Sequence, residues 1–257
     1  MNDLTKALQT RGTWDDLLRT YFETGFREVK GWVDPLIFSS LRCIQEIHDE
    51  LNLLGRIVEI GVYHGRFFLA LDCLRRPGEP ASAIDIFEEQ ELNIDGSGVG
   101  ADQETFQRNF ATYSQSAAPP DIHQIDSLLI DPYFTAKNLS SPRARLFSID
   151  GGHTSEHAFN DMQIAALALA HGGVVFVDDY YHPHWPGVHQ GVARYMFFAN
   201  AKLAPFAYSG NKLMLTTVLM HEQVISLFEK KIRKLLENRV GNIKLVEMYG
   251  FKTIVVK

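Results

Sequence analysis

The chain has 257 residues, 46% of them hydrophobic and 22% charged, enough for a large α/β core with additions at its ends. Acids outnumber Lys and Arg by 31 to 25, a formal charge of -6 that argues against a nucleic-acid backbone as partner. Two cysteines, Cys43 and Cys73, can build neither a disulfide framework nor a thiolate zinc site and suit a reducing, cytoplasmic setting. Met1–Gly12 is polar and lacks the apolar run of a signal peptide. No stretch approaches the roughly 20 apolar residues of a membrane span, so no membrane partner is expected.

In chain order, Trp14–Val29 and Pro35–Leu53 come first, with apolar residues three and four apart, as at Leu41, Ile44, Ile47 and Leu51. That spacing predicts two helices. Short apolar runs then alternate with helical stretches. Arg56–Ile60, Ser82–Ile86, Asp121–Ile125, Ala144–Ile149, Gly173–Val177, Leu213–Val218 and Lys252–Val256 read as strands. Helices are predicted at Gly65–Leu74, Gln103–Tyr113, Ser155–Ala170, Val188–Asn200 and Glu222–Glu237. The expected fold is α/β and Rossmann-like: a mostly parallel seven-stranded sheet flanked by helices, its last two runs an antiparallel edge. Residues 1–54 form an N-terminal helical extension and 55–257 the core of a single domain. The polar, glycine-bearing stretch Glu88–Asp102 reads as a functional lid.

The first strand runs into Glu59-Ile60-Gly61-Val62-Tyr63-His64-Gly65 and then a helix. Ligands of open α/β sheets bind beyond the carboxyl ends of the strands, and Gly61 and Gly65 let backbone approach them; tight-turn packing explains many such pairs as well. Asp85 ends the second strand, placed to accept hydrogen bonds from both ribose hydroxyls of an adenosine cofactor. Asp126 and Ser127 follow the third strand, where an acid can receive an adenine amino group or simply cap a helix. Tyr63 stands where a nicotinamide-dependent oxidoreductase would want a second, closely spaced glycine.

The stretch from Val58 to Gly65 resembles the glycine motif of class I S-adenosylmethionine-dependent methyltransferases, and the resemblance extends over about Leu53 to Met196. It is nearest to a subgroup of small-molecule and sugar O-methyltransferases, some of them metal-dependent. Ser148-Ile149-Asp150-Gly151-Gly152-His153, Gly172 to Tyr180 and Asn93-Ile94-Asp95-Gly96-Ser97-Gly98 are similar to the subgroup's later motifs. The resemblance implies S-adenosylmethionine as cofactor, contacted by Glu59, Gly61, Tyr63, Gly65, Asp85, Asp126, Ser127 and Asp150.

Asp150 closes the fourth strand and Asp178 and Asp179 close the fifth. Parallel neighbours lie about 4.8 Å apart, so three carboxylates meet in one small volume and repel unless a cation or protons intervene. A hard divalent ion such as magnesium would neutralise them and polarise an acceptor hydroxyl; alternatively the acids cap turns or touch substrate without metal. His153, three residues past Asp150, is a candidate general base. The resemblance assigns Asp150, Asp178 and Asp179 as metal ligands and His153, with Asp150, as catalytic; the subgroup can carry Glu where Asp178 stands. His182, His184 and His189 lie in a proline-broken loop that lacks helical zinc spacing and reads as a wall of the acceptor pocket, with Tyr181 and Trp185 as flat surfaces. His64 and Arg66 face either the cofactor carboxylate or solvent. Lys230, Lys231, Arg233 and Lys234 read as the wet face of a late amphipathic helix.

The expected function is methyl transfer to a hydroxyl of a small, polyhydroxylated sugar or natural-product acceptor, with a homo-oligomer as the base-rate assembly. A non-catalytic cofactor-binding scaffold is the alternative from another class, and the strand-end acid cluster argues against it.

Overall fold

The computed structural model describes residues 13–116, 118–198, 200–236 and 243–257. The polar stretch Met1–Gly12, Ala199 near the expected end of one helix and Glu237 at the expected end of another lie outside the described residues. Helix α1 (Trp14–Glu23) starts at Thr13, whose hydroxyl accepts the Asp16 N–H at 3.2 Å. The single helix expected to run to Val29 breaks at Thr24, and a separate turn, Gly25–Glu28, follows. At Gly25 a Cβ would stand 2.6 Å from the Tyr21 ring and 2.7 Å from that of Tyr113, so the kink seats backbone against aromatic rings. Helix α2 (Ile37–Glu50) completes the extension.

Among the described residues the core holds nine strands: β1 (Arg56–Ile60), β2 (Ala81–Asp85), β3 (Asp121–Gln124), β4 (Ala144–Ile149), β5 (Leu169–Val177), β6 (Leu203–Ser209), β7 (Lys212–Thr217), β8 (Ile243–Met248) and β9 (Phe251–Val256). Their order is β3-β2-β1-β4-β5-β7-β6-β9-β8. The first five are mutually parallel; β7 enters antiparallel to β5 and β6, and β8 antiparallel to β9. The expected count of seven is therefore corrected to nine. The two additions escape a periodicity reading for physical reasons. β6 carries Pro205, which removes a ladder donor and sits where the pairing with β7 shifts register. β8 is an edge strand whose four inner positions are exposed, so it lacks an apolar run.

Helices α3 (Arg66–Leu74), α4 (Gln103–Tyr113), α5 (Ser155–Ala168), α6 (Pro186–Met196) and α7 (His221–Leu235) cover the sheet. Strand side chains alternate between two cores. Leu146, Val174 and Phe176 meet the extension, α3 and α7, while Phe147, Val175 and Val177 meet α5 and α6. Helix α6 begins two residues before its expected start because Pro186 occupies the first turn, where a missing N–H costs nothing. On α7, Val224, Ile225, Phe228 and Ile232 are buried, and Lys231, expected on the wet face, reaches Glu46 and Glu50 of α2. Cys43 and Cys73 are both buried. Among the described residues no helix is long and apolar enough to cross a membrane.

A buried polar hub fastens the extension to the sheet. Arg145 of β4 has no exposed surface and forms two 2.8 Å bonds to the Glu79 carboxylate, with further bonds to Gln45 Oε1 (3.1 Å), His48 Nδ1 (3.2 Å) and the Leu74 carbonyl (2.6 Å). Burial and the adjacent guanidinium push His48 well below the ordinary imidazole value, so its neutral nitrogen accepts the Arg145 N–H. Removing one partner leaves a guanidinium stranded in the core. Glu79→Ala should cost about 3–5 kcal/mol, read as a lower urea midpoint; a loss within the range of ordinary surface substitutions would show that the hub contributes little.

Candidate functional site

The parallel ladder brings the strand ends into phase. Ile60 pairs with Ile84 and with Ile149, and Ile149 pairs with Val177. Backbone bonds continue one residue further, from Gly61 N to Ile84 O (2.8 Å), Asp150 N to Ile60 O (2.8 Å) and Asp178 N to Ile149 O (3.0 Å). Asp85, Gly61, Asp150 and Asp178 therefore stand in a row that lines one cavity of about 730 Å3.

At the Gly61 end the need for glycine is steric. Its φ is 82°, and a Cβ there would lie 1.8 Å from the Asp150 carbonyl oxygen. Gly65 (φ 92°) packs on Phe106, 2.8 Å from where a Cβ would be, and does not line the cavity; its place is the start of α3. Asp85 accepts the backbone N–H of Tyr63 and of Phe87, each at 2.7 Å, and burial raises its pKa against those bonds. Tyr63 is held left-handed (φ 51°), its ring stacked on His64 at 4.0 Å and tilted against Trp32 at 5.3 Å. His64 is buried, bonded to the Gly100 carbonyl at 2.9 Å, and lies off the cavity wall, whereas Arg66 lines it while bonded to the Gly31 carbonyl at 2.5 Å. Glu59 lines the cavity; burial pushes its carboxyl up to about 8, opposed by the Lys212 charge. Asp126 and Ser127 line the far side. Asp126 caps the turn that follows, accepting the Leu128 N–H at 2.9 Å, and also sits 3.3 Å from His157 Nε2.

At the other end the acid cluster is built around His153. Its Nδ1 is 3.2 Å from Asp95 Oδ2 and its Nε2 is 3.2 Å from Asp179 Oδ2, and the ring stacks on Trp185 at 4.4 Å. Asp95 also takes the His153 backbone N–H at 2.5 Å, so the expected lid, through Asp95, grips the turn that carries the imidazole. Burial alone would lower the His153 pKa, but the bonds to Asp179 and Asp95 outweigh it and raise it to about 9. Burial likewise opposes ionisation of Asp95 and Asp179, yet their bonds to His153 keep both below the usual carboxylate range. Burial and the neighbouring Asp178 push Asp150 well above that range, with Lys212 pulling the other way.

The expected ligand trio is only partly assembled. Asp150, His153 and Asp179 present ligand atoms that all lie within 4.8 Å of one another. Asp178 lines the cavity, but its Oδ2 is 2.5 Å from the buried Lys212 ammonium. His182 and Trp185 reach the cavity wall; Tyr181, expected there, packs instead among Tyr180, His189 and Tyr208. None of His182, His184 or His189 joins a metal-binding grouping among the described residues. Sequence reasoning gave no role to Asp95, Asn211, Lys212 or Trp32. The available signals were a Gly-Asn pair between strands, which marks a hairpin tip, and a lysine opening an apolar strand.

Residues 58–180 match the family model described as a methyltransferase domain. The match runs from within β1 to just past β5, the strands whose ends line the cavity. Among solved structures, this chain is similar to the O-methyltransferase NovP, at 16% identity over 70% of this chain and 80% of that one, with a TM-score of 0.53. It is also similar to CalS11, a TDP-rhamnose 3'-O-methyltransferase of calicheamicin biosynthesis (18% identity, 69% and 78% coverage, TM-score 0.49). A third is the O-methyltransferase TomG from Streptomyces achromogenes (13% identity, 80% and 90% coverage, TM-score 0.45). The likeness to NovP is one of fold. No curated protein matches the chain.

Two outcomes are expected for this site. Gly61→Ala should abolish cofactor binding in calorimetry, because the new methyl has no room beside the Asp150 carbonyl. In metal-free buffer, the His153 titration followed by NMR should centre near 9 and fall toward the ordinary imidazole value in Asp95→Asn. Because the folded value is the raised one, the matching stability is complete below about pH 6.5 and is lost as pH climbs through about 9. A midpoint unmoved by Asp95→Asn would remove the carboxylate from the explanation.

Proposed function

We propose that this methyltransferase moves the methyl group of S-adenosylmethionine onto a hydroxyl oxygen of a small, polyhydroxylated acceptor of the sugar or natural-product kind. The observation that carries this reading is that the glycine turn with Asp85 and the imidazole held between Asp95 and Asp179 open into one cavity. The methyltransferase family match and the NovP-like fold support it. Asp85 retains lone pairs beyond its two backbone bonds and is assigned to the ribose hydroxyls. Gly61 and Tyr63 flank the cofactor, Gly65 sets the start of α3, and Asp126 and Ser127 bound the base. Glu59 and Asp150, which line the same cavity, are also assigned to the cofactor.

Methyl transfer breaks a sulfur–carbon bond, forms a carbon–oxygen bond and releases the acceptor proton. His153 is assigned to receive it, after giving up the proton it holds between two carboxylates. Trp185 fixes the plane of the imidazole and Asp95 its position, so the catalytic contribution is orientation together with proton transfer. A divalent ion such as magnesium fits the oxygen donors of Asp150 and Asp179 beside that imidazole and would supply polarisation of the acceptor hydroxyl. We place the protein as a cytoplasmic, single-domain enzyme that assembles as a homo-oligomer.

Two substitutions separate the roles. Asp85→Ala should weaken S-adenosylmethionine binding at least about tenfold, the loss expected when hydrogen bonds to a charged group are removed. His153→Ala should leave that affinity intact and lower turnover about 10²–10⁴-fold. Unchanged cofactor affinity in the Asp85 variant, read by calorimetry, would contradict the assignment. So would full turnover without His153, read by transfer of a labelled methyl group.

A further inference from the structure

At the tip of the β6–β7 hairpin the chain turns through Gly210 and Asn211, both left-handed at φ 56° and 65°. The next residue, Lys212, sends its side chain beneath the strand ends, where none of it is exposed. Its Nζ lies 2.5 Å from Asp178 Oδ2, 3.7 Å from Asp150 Oδ2 and 4.3 Å from the centre of the Phe67 ring. The other Asp178 oxygen is also engaged: it accepts the Asp179 backbone N–H at 2.9 Å and faces the Asn211 amide at 3.4 Å. Asn211 donates its main bond to Asp179, at 2.6 Å. Burial disfavours an ammonium here, yet Asp178 and Asp150 outweigh it and hold Lys212 above its ordinary value.

We propose that Lys212 is a positioning residue that acts as a built-in counter-cation: it removes Asp178 from the side chains free to hold a divalent ion and leaves that task to Asp150 and Asp179. Three carboxylates at neighbouring strand ends need compensating charge, and here part of it comes from the chain itself. An ion drawn toward Asp178 meets an ammonium that its own hairpin and the Phe67 ring enclose. Asp179, left-handed at φ 55°, turns away from Asp178 toward His153 and the open cavity. The inference rests on reading the cavity as a methyl-transfer site, but its test needs no turnover.

The test titrates the full chain with manganous ion alone, followed by water-proton relaxation, while calorimetry with S-adenosylmethionine checks the cofactor site separately. Asp150→Asn and Asp179→Asn should each weaken manganese binding by about tenfold or more, the size typical of perturbing a metal site. Asp178→Asn should stay within about threefold of the parent, and Lys212→Met should bind manganese about tenfold more tightly, because a carboxylate is freed and a like charge removed. Lys212→Met combined with Asp178→Asn leaves no orphaned partner for that pair and should still bind more tightly than Asp178→Asn alone. This keeps the effect of the ammonium measurable if the single variant does not fold. Lys212→Arg should behave as the parent. A parent that takes up no manganese overturns the assignment of the ion to Asp150 and Asp179, and uptake unchanged on loss of Lys212 overturns the role of the ammonium. A loss in Asp178→Asn equal to that in Asp179→Asn also overturns it. Failure to bind S-adenosylmethionine, by contrast, would overturn the methyl-transfer reading and leave the manganese comparison standing.

Discussion

Backbone hydrogen bonds carry the parallel ladder one residue past the ends of β1, β4 and β5, and that short continuation governs the geometry of the whole site. Because Ile60, Ile84, Ile149 and Val177 are in register, the four residues that follow them form a row instead of being scattered around a rim. The row leaves no space between Gly61 and the Asp150 carbonyl, so the cofactor turn and the acid cluster cannot shift independently. A parallel sheet achieves this because its strands all point the same way and its slanted bonds are evenly spaced.

Crowding acids into that row raises an electrostatic problem that the chain solves from two sides. Lys212 comes from β7, the antiparallel strand, and neutralises Asp178 from beneath; His153 stands between Asp95 and Asp179 on the cavity side. Asp150 lies between the two arrangements, and burial beside Asp178 holds it toward its protonated form. The outcome is two charge-balanced groups with different solvent access. Only the upper one can exchange its partner for a ligand without exposing a core charge.

The N-terminal extension is tied to this centre as well. Lys30 to Asp34 pass over the cavity, with Trp32 tilted against Tyr63 and the Gly31 carbonyl bonded to Arg66. Its second helix is fixed by the buried guanidinium of Arg145, which also holds Glu79 after α3. Stability of the extension and closure of the pocket thus share one buried hub, which β4 connects to Asp150 just past its carboxyl end.

Much of the fold was legible in the residues. The alternation of apolar runs and helical spacing marked seven of the strands and the covering helices, since burial on both faces leaves its period in the chain. Gly61, Asp85, Asp150, His153 and Asp179 could be picked out because a strand end followed by glycine or acid is a local pattern. β6 and β8 were not legible: a proline and an exposed edge erase the signal that burial normally writes. Nor were the partners of the acids. Asp95 is 58 residues from His153, and Lys212 is 34 from Asp178. Nothing local reports that a loop folds back onto a turn, or that a hairpin slides its lysine beneath a strand. Local patterns in the chain are enough to mark the residues capable of chemistry and the strand ends that carry them. Which carboxylate meets an ammonium, which meets an imidazole and which faces the cavity follows only from the folded arrangement, because charge pairing depends on distance through space.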